Sequence, residues 1–400
     1  MSKILFKTTI VSCSDQINHQ ELNKLIYDNN IQLQTEYLQV MTKNLDNNFE
    51  GFFAIVTYDE SVVAWTYFFI DDNFGFHGIL GGAIGKLYKH FPIRFKTTFI
   101  SSPISEYNCF HVSEKYAEKK DDIIESMLLE ILNFSKKKKV KLFLIKDHIH
   151  ECTSPVVRKE FVHLHFMPGT IIDLENMCGY ENIIKEDKFE EIGFQNYLKS
   201  LKKKRRANIR NKMNNRKEEL SVEVVPAQQL TEMENRKCYK LYLQTIGKQK
   251  IKHECLSERY FSECAIELGK DCSMLIARVD KQIVGCAQLL ENQDSIINVR
   301  MGMDYEYAKE YQIYYHLLYE NIKYTIRNRK KYLYTSQTCY RPKLEVGAKF
   351  VPLHTYVHFT NPILHSMLSK IIVNNCKCYT ELINANKPSE ILNKYGLSSY

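Results

Sequence analysis

The residues best suited to chemistry lie in the stretch SQTCYRPK, residues 336–343, directly after a predicted strand. A lysine at the position of Lys343 can bind a phosphate or a carboxylate or stabilise an oxyanion. The hydroxyl of Tyr340 can orient a substrate or protonate a leaving group. The alternatives are a solvated loop lysine and a packed aromatic ring whose hydroxyl is satisfied. We predict Lys343 and Tyr340 as catalytic residues.

A second group of polar residues lies on the strand-like segment VRMGMD and around it. Arg300 and Asp304 occupy alternate positions, so on a strand they share the face opposite Met301 and Met303. They form either a charge pair that lines a cleft or a structural ion pair. Asp304 is predicted to be catalytic. The predicted substrate-binding residues are Arg300, Gln337 at the end of KYLYTSQ, and His316 on the preceding helix.

A strongly basic segment runs from Tyr197 to Lys217 and contains ten Lys or Arg and no acidic residue. Such a segment can bind the phosphates of tRNA or a nucleotide, an acidic acyl carrier protein, or the diphosphate of a lipid-linked precursor. The alternative is a solvated helix face that pairs with the acidic stretch at 181–191. Stacking of bases has no support, because the segment contains no aromatic residue after Tyr197. The predicted anion-binding residues are Lys203, Arg205, Arg206 and Arg210.

The glycine cluster from Gly78 to Lys86 does not match a phosphate-binding loop. Leu80 and Leu87 stand where such a loop requires Gly and Ser or Thr, and Leu80 also breaks a Gly-x-Gly-x-x-Gly pattern. We interpret the cluster as a flexible loop or a site of tight packing.

No metal site is expected from the pattern of histidines and cysteines. His163 and His165 in VHLHF alternate as strand residues do, and no third ligand accompanies them in the sequence. Cys376 and Cys378 form the one close cysteine pair, without the second pair that a zinc site needs. The remaining cysteines are scattered, which is typical of reduced core residues in a cytosolic protein.

The second half of the chain must position the candidate residues. SMLIARVD and QIVGCAQLL flank Asp280-Lys281 as a predicted hairpin, and SIINVRMGMD is the next strand. KYLYTSQ and AKFVPLHTYVHF follow as strands. The helix between SIINVRMGMD and KYLYTSQ is predicted from an apolar stripe at helical spacing, formed by Tyr311, Tyr315, Leu318, Ile322 and Ile326.

The first half repeats this order of elements with little residue identity. GFFAIVTYD and VVAWTYFFID form a hairpin around Glu60-Ser61, TTFISSPIS and VKLFLIKD are strands, and HLHFMPGTIIDL closes the set. The helix between TTFISSPIS and VKLFLIKD is marked by Ile124, Met127, Leu128, Ile131 and Leu132. Alternating strands and helices of these lengths predict α/β layers around a mixed sheet.

Changes in composition divide the chain into four parts. We predict a first domain at 1–175, an acidic linker at 176–193, a second domain at 194–373 that begins with the basic helix, and a polar tail at 374–400. The second domain carries all of the candidate site residues. The first domain is expected to support the interface and to shape the acceptor site.

The bulk composition is that of a soluble globular protein. The 400 residues suffice for two domains, 44% are hydrophobic and 26% are charged, and the net charge of +8 is moderate. No run of about 18 apolar residues is present, and the first residues lack the long apolar region and cleavage site of a secretory signal. We therefore expect a cytoplasmic protein without a membrane span.

Several segments taken together resemble the FemAB-like acyltransferases of the GNAT superfamily, in the branch related to peptidoglycan biosynthesis. They are FQNYLKSLKKKRRANIRNK, IVGCAQLL, MGMDYEY, YYHLLYENIKYTI and SQTCYRPKLEVGAKFVPLHTYVHF, and the resemblance covers about residues 194–370. It implies an α/β fold of tandem GNAT-like domains, each a mixed, mostly antiparallel sheet flanked by helices. The family's Tyr-x-x-Lys pattern falls on Tyr340 and Lys343.

The resemblance implies an N-acyltransferase. Its donor would be a thioester, either acyl-CoA or an acyl carrier protein, and its acceptor the amine of a small molecule or peptide, with no permanently bound cofactor. A base or water chain would deprotonate the amine, and a backbone N–H of the splayed central strand would hold the oxyanion. One alternative is an aminoacyl-tRNA-dependent ligase that acts on a peptidoglycan or other peptide precursor. Another is a catalytically inactive module that binds an anionic partner.

One departure from the superfamily pattern bears on the donor. Typical CoA-binding acetyltransferases carry Arg/Gln-x-x-Gly-x-Gly/Ala between the central strand and its helix, where backbone amides hold the pyrophosphate. The corresponding segment here is YEYAKEYQIYY, which contains no glycine. The sequence therefore leaves CoA, a carrier-protein thioester and aminoacyl-tRNA open as donors.

Overall fold

The computed structural model describes residues 6–26, 30–46, 48–76, 90, 92–102, 109–248, 255–395 and 397. The glycine cluster from Gly78 to Lys86 lies outside the described residues. The strands are β1 Lys7–Ser12, β2 Phe49–Tyr58, β3 Ser61–Gly75, β4 Arg94–Ile100, β5 Phe110–Val112, β6 Leu142–His148, β7 Val162–His165, β8 Gly169–Asp173, β9 Leu220–Pro226, β10 Cys272–Val279, β11 Gln282–Glu291, β12 Ser295–Met303, β13 Tyr332–Tyr334, β14 Lys349–Val351 and β15 His354–Phe359.

The α-helices alternate with these strands in both halves of the chain. They are α1 His19–Asn23, α2 Thr35–Lys43, α3 Lys120–Lys137, α4 Pro155–Glu160, α5 Leu174–Cys178, α6 Phe189–Ser200, α7 Lys203–Asn214, α8 Glu232–Lys248, α9 Tyr260–Leu268, α10 Tyr305–Ala308, α11 Ile313–Arg327, α12 Tyr340–Glu345, α13 Pro362–Ile383 and α14 Pro388–Lys394. Within the described ranges, none of these helices is long and apolar enough to cross a membrane.

The chain folds into two compact units, and neither is a contiguous stretch of sequence. The first unit contains residues 1–168, 250–257 and 352–386, and the second contains 169–249, 258–351 and 387–400. The contiguous domains expected at 1–175 and 194–373 differ from these units because two strands pair in the sheet of the other half. Such long-range pairing leaves no signal in local sequence patterns.

In the first unit the strand order is β1-β2-β3-β4-β6-β15-β7, with β5 also paired to β3. The predicted hairpin is present, although its turn is Asp59-Glu60, both with positive φ, rather than Glu60-Ser61. Helix α3 buries Ile124, Met127, Leu128 and Ile131 against the core, as the stripe predicted. Strands β4 and β6 are parallel, and the other described pairs of this sheet are antiparallel.

In the second unit the strand order is β14-β8-β13-β12-β11-β10-β9. Asp280 and Lys281 both have positive φ and close the predicted β10–β11 hairpin, as a two-residue turn requires. Strands β12 and β13 are parallel and joined by α11, whose buried face contains Leu318, Ile322 and Ile326. The described pairings confirm a mixed, mostly antiparallel sheet in each unit.

Four stretches differ from the predicted organisation. HLHFMPGTIIDL is divided into β7, which pairs in the first unit, and β8, which pairs in the second. AKFVPLHTYVHF is divided, because β14 pairs with β8 in the second unit whereas β15 pairs with β6 and β7 in the first. The expected acidic linker contains the end of α5 and the start of α6, and its Cys178, Ile183 and Phe189 lie in the core. The expected polar tail is largely helical, since α13 continues to Ile383 and α14 follows. Helix α13 holds its position by burying one face, which includes Cys376 and Leu382.

Candidate active site

Strand β12 extends well beyond its parallel neighbour in the second unit. The β12–β13 register runs from Ser295 opposite Tyr332 to Ile297 opposite Tyr334, where β13 ends, whereas β12 continues to Met303. Strand β11 pairs with the other edge of β12 along this length, with an irregularity in register at Val299. One edge of β12 therefore opens beside the residues that follow β13.

Side chains bridge this opening at both ends. Ser336 Oγ donates to the Asn298 carbonyl at 2.9 Å, and Thr245 Oγ1 accepts from the Met303 N–H at 3.2 Å. The Asp304 N–H donates to the Val284 carbonyl on β11 at 2.8 Å. Because N–H directions alternate along a strand, the N–H of Met301 has the same direction as that of Met303, away from β11. The opening thus has a backbone donor at its centre.

The loop beside the opening has an unusual backbone. Ser336, Thr338 and Cys339 have φ values of 55°, 60° and 46°. Left-handed conformations are unfavourable for residues with a Cβ, and their accumulation in one loop is typical of functional sites.

Lys343 holds this loop together. Its side chain is only 5% exposed, and Nζ donates to the carbonyls of Ser336 at 2.9 Å and Gln337 at 2.8 Å. The Ser336 carbonyl also accepts from Thr170 Oγ1 at 2.6 Å. A buried ammonium that donates to two backbone carbonyls of one loop stabilises the conformation of that loop. The structure therefore gives Lys343 a role in shaping the loop.

Tyr340 and Cys339 begin helix α12 at the end of the loop. Tyr340 is buried, and its ring packs edge-on against Phe350 with centroids 5.2 Å apart. Burial raises the pKa of the Cys339 thiol, and the nearby Lys343 charge partly opposes that rise. The thiol is therefore protonated near neutral pH and is not an activated nucleophile.

Tyr305 on α10 and Tyr314 on α11 lie near Cys339. Burial raises the pKa of Tyr305 and Tyr314, and interaction with the Cys339 sulfur raises both further. Their phenols are therefore protonated and can donate hydrogen bonds. The structure thus brings the end of β12 and the 336–339 loop together, as the predicted strand order requires.

Arg300 and Asp304 project from the face of β12 opposite Met301 and Met303. Both methionines pack with the apolar cluster that contains α11, whereas Gly302 on the other face lies against the backbone of α8. Arg300 Nη1 donates to the Val299 carbonyl at 3.1 Å. Asp304 caps α10 by accepting from the Glu306 N–H and lies 3.9 Å from the ammonium of Lys237 on α8. The shared face was predicted; the capping role of Asp304 was not.

His316 and Gln337 lie in different surroundings. His316 is buried on α11, and its pKa falls to about 4 because of burial, with smaller contributions from Arg216, Lys212 and Lys323. It is therefore neutral at physiological pH and lies toward the basic segment. Gln337 belongs to the strained loop, and its Nε2 is buried without a hydrogen-bond partner among the described residues.

The basic segment forms helix α7, after a break at Leu201–Lys202. Arg206 donates to the Lys199 carbonyl and Arg210 to Gln195, while Lys203 is exposed and Arg205 half-buried. The acidic stretch before it pairs elsewhere: Glu190 binds Arg327 at 2.6 Å and Glu186 binds Arg329. Within the described chain, the predicted anion-binding residues therefore have no carboxylate partner in a salt bridge.

Lysines cover the tyrosine-rich segment that replaces the glycine loop. Lys248 Nζ lies 3.6 Å from the centroid of the Tyr305 ring, Lys217 Nζ lies 4.8 Å from that of Tyr311, and Lys212 Nζ lies 3.2 Å from that of Tyr315. These are cation–π distances. The sequence revealed neither these pairs nor Thr245, because each partner comes from a distant segment of the chain.

Glu345 connects α7, α11 and α12. Its carboxylate accepts from Asn208 Nδ2 and from the Tyr315 hydroxyl, each at 3.4 Å. Burial lowers the pKa of Lys212, and the Glu345 charge partly opposes that decrease. A single glutamate at the end of a short helix has no distinguishing pattern in sequence, so this residue was not predicted. It fixes the basic helix beside the tyrosine-rich segment.

Comparison with known proteins gives a family and a fold. The family model for FemAB-like proteins, described as peptidoglycan biosynthesis and recognition, matches residues 174–387, just over half of the chain. No curated protein sequence matches the chain.

Solved structures of similar fold cover almost the whole chain. FemX has a TM-score of 0.54 at 9% identity and covers 91% of this chain and 100% of its own. A tandem GNAT protein from the clavulanic acid biosynthesis pathway has a TM-score of 0.52 at 8% identity, covering 90% and 99%. The C-terminal domain of a putative lysylphosphatidylglycerol synthetase from Agrobacterium fabrum has a TM-score of 0.51 at 11% identity, covering 92% and 97%. These likenesses confirm the tandem GNAT-like fold, and the family match shows that the chain belongs to the FemAB-like family.

Proposed function

We propose that the protein is an N-acyltransferase that moves an acyl group from a thioester donor to an amine. The observation that supports this most is the open edge of β12 beside the strained loop that Lys343 holds. An extended acyl donor can lie along such an edge, with its carbonyl next to a backbone donor. FemAB-like family membership supports a peptide or peptidoglycan precursor as the acceptor.

In this proposal the N–H of Met301 stabilises the oxyanion. It points to the open edge of β12, between the bridges made by Ser336 and Thr245. A backbone donor fixed by a sheet needs no reorganisation as charge develops on the carbonyl oxygen, which is the basis of oxyanion stabilisation. Lys343 acts as a positioning residue, because its ammonium is occupied by two loop carbonyls.

The amine attacks the donor carbonyl directly. A covalent intermediate on Cys339 is disfavoured, because burial raises its pKa and keeps the thiol protonated. The C–N bond forms as the amine loses its proton to a base or water chain, and the C–S bond then breaks. The leaving thiolate can take a proton from the phenol of Tyr305 or of Tyr340, both of which lie near the 336–339 loop.

An aminoacyl-tRNA donor is the second candidate. The cations of α7 are not paired with the acidic stretch, and the β12–α11 connection carries lysines over tyrosine rings instead of glycine amides. A row of available cations suits an extended polyanion, and a helix N-terminus with free amides would suit the pyrophosphate of CoA. The same surface is also consistent with a carrier protein or, without turnover, with a purely binding role.

A donor screen distinguishes these possibilities. The protein would be incubated with an amine-bearing peptidoglycan peptide and, in separate reactions, with acyl-CoA, an acylated carrier protein or aminoacyl-tRNA. We expect product from a thioester, with turnover abolished or reduced by about 100-fold in Lys343→Met and unchanged in Lys349→Met, whose lysine is exposed on β14.

The competing outcomes have separate signatures. Turnover with aminoacyl-tRNA alone would replace the thioester donor. Neutralising Lys203, Arg205, Arg206 and Arg210 would then reduce the slope of log affinity against log salt by up to about 3.6. Tight binding of a polyanion with no product from any donor would favour the inactive module. Unchanged turnover in Lys343→Met would remove Lys343 from the site.

A further inference from the structure

Three histidines gather at one end of the sheet in the first unit. His163 and His165 lie on β7, and His354 lies on β15, where it pairs directly with His165. Alternate residues of a strand share a face, so the two β7 side chains lie on the same side. One ring nitrogen from each of the three residues lies within 4.8 Å of the other two.

We propose that the first unit binds a zinc ion through the imidazoles of His163, His165 and His354. Zinc binds histidine nitrogens at about 2.0–2.1 Å in a tetrahedral arrangement, which places the ligand nitrogens roughly 3.4 Å apart. His163 Nε2 and His354 Nδ1 are 2.9 Å apart. Small rotations of the rings, which move each nitrogen by roughly 1 Å, would bring the three nitrogens to coordination distance. The exposed position of His163 permits such rotations.

One nitrogen of the cluster lacks the hydrogen bonding that a buried polar atom requires. His165 Nδ1 is buried and has no hydrogen-bond partner among the described residues, which is costly for a polar atom. A metal ion at the centre of the cluster would supply the missing interaction.

Glu151 lies near two of the three rings. Its carboxylate raises the pKa of His163 and His354, against the stronger effect of burial. Three imidazoles leave one tetrahedral position, which water can occupy. Nitrogen ligands of this kind favour zinc and other late first-row ions over calcium and magnesium, which bind through oxygen.

The proposed ion would link distant segments of the chain. Strand β7 is the last strand of its sheet, and β15 returns to that sheet from a segment 191 residues further along. Coordination would fasten the two strands to each other through their side chains. This role is independent of acyl transfer, because all of the ligands belong to the first unit. The histidine pair that lacked a third ligand in sequence thus gains one from β15.

The test uses the full-length protein after treatment with a chelator. Zinc would be titrated calorimetrically, and cobalt, which absorbs visible light when tetrahedral, would be added as a spectroscopic probe. We expect one equivalent of each metal to bind. Changing His163, His165 or His354 to Gln should weaken binding by at least about 100-fold, and Glu151→Gln by about 10-fold. The matched control is His358→Gln, since His358 also lies on β15 but contacts the Glu160 carbonyl.

Two results would contradict the proposed site. One is the absence of stoichiometric zinc binding by the wild-type protein, and the other is an unchanged zinc affinity in a folded His354→Gln variant. Circular dichroism would establish whether each variant is folded. If His354→Gln or His165→Gln is unfolded, the test depends on His163, which is exposed: an unchanged zinc affinity in His163→Gln contradicts the proposal. Zinc should also raise the Tm of the wild-type protein and of His358→Gln but not that of His163→Gln.

Discussion

The two units contain the same central arrangement, a parallel pair of strands joined by a helix, but the first strand of the pair ends differently in the two. In the first unit β4 pairs with β6 up to its last residue, with Ile100 opposite Ile145. In the second, β12 passes its last partner, Ile297, and continues for six further residues to Met303. A paired strand has no free edge to offer a ligand, whereas a projecting strand offers backbone donors and acceptors.

Aromatic packing also differs between the two units. In the first unit the rings of Phe69 and Phe99 stack with centroids 4.7 Å apart, and Trp65 is fully buried against His111 at 4.3 Å. In the second unit the corresponding strand carries Arg300 and Gly302, and a strained polar loop lies beside it. At the parallel pair, the first unit therefore has stacked aromatic rings, whereas the second has a charged residue, a glycine and a polar loop.

The largest expected effect concerns the close approach of α8 to β12. A Cβ on Gly302 would lie 2.5 Å from the backbone nitrogen of Tyr242 and 2.6 Å from the Leu241 carbonyl carbon. Because backbone atoms of a helix cannot move aside cheaply, Gly302→Ala should reduce the free energy of unfolding by about 3 kcal/mol or more. Chemical denaturation would measure this reduction.

The matched control for this substitution is on the same helix. A Cβ on Gly247 would meet nothing within 4 Å, and Gly247→Ala should stabilise α8 by about 0.5–1 kcal/mol through helix propensity. If Gly302→Ala were as well tolerated as Gly247→Ala, α8 would not lie against the open strand as described.

The second effect concerns the strained loop beside the opening. Lys343→Met keeps most of the side-chain volume but removes two charged hydrogen bonds to the carbonyls of Ser336 and Gln337. We expect a loss of about 2–3 kcal/mol in the free energy of unfolding. The free energy of unfolding of Lys349→Met provides the baseline, because Lys349 is an exposed lysine of the same region. Equal stability of the two variants would contradict the role of Lys343 in shaping the loop.

Local patterns predicted the elements of both sheets but not the way in which they are shared. The β10–β11 hairpin and the stripe of α11 follow from periodicity and turn residues, so both could be read from the sequence. The exchange of β8 and β15 depends on pairing between segments more than 150 residues apart, for example Tyr332 with Asp173. Nothing in a single sequence encodes such a partner locally.

The candidate site shows the same division. The order of strand, helix and loop predicted that the loop before Tyr340 lies beside β12, where Ser336 binds the Asn298 carbonyl. The catalytic roles of Lys343 and Tyr340 stay predictions. The order of elements did not reveal that the Lys343 ammonium binds carbonyls of its own loop. The left-handed backbone of this loop could not be predicted either, because the three residues that adopt it are not glycines. Likewise, the third histidine of the cluster on β7 comes from β15, and only the fold brings it there.

The third prediction tests the packed character of the first unit by pH. Burial lowers the pKa of His111 to about 3, whereas an unfolded histidine titrates near 6.5. Above pH 6.5 both states are neutral, so the stability is fully present; below it the unfolded state gains the proton first. Stability should therefore fall as the pH decreases from 6.5 toward 3, by up to about 1.4 kcal/mol per pH unit.

Trp65 allows this loss to be observed in the first unit alone. It is the one tryptophan of the chain and lies against His111, so its fluorescence during denaturation reports the surroundings of that ring. We expect the denaturation midpoint to decrease between pH 6.5 and 5 and to do so less in His111→Phe. An identical pH dependence in the variant would show that another group governs the acid sensitivity.

The smallest expected effect compares cations over aromatic rings in the two units. Lys212 Nζ lies 3.2 Å from the Tyr315 centroid in the second unit, whereas Lys138 Nζ lies 5.1 Å from that of Phe52 in the first. Double-mutant cycles with Lys→Met and aromatic→Leu would measure each coupling energy. We expect about 0.5–1 kcal/mol for Lys212–Tyr315, since its distance is shorter and Lys212 is partly desolvated, and less for Lys138–Phe52. Equal coupling energies would mean that the lysines over the tyrosine-rich segment make ordinary surface contacts, which give no support to an anion-binding surface.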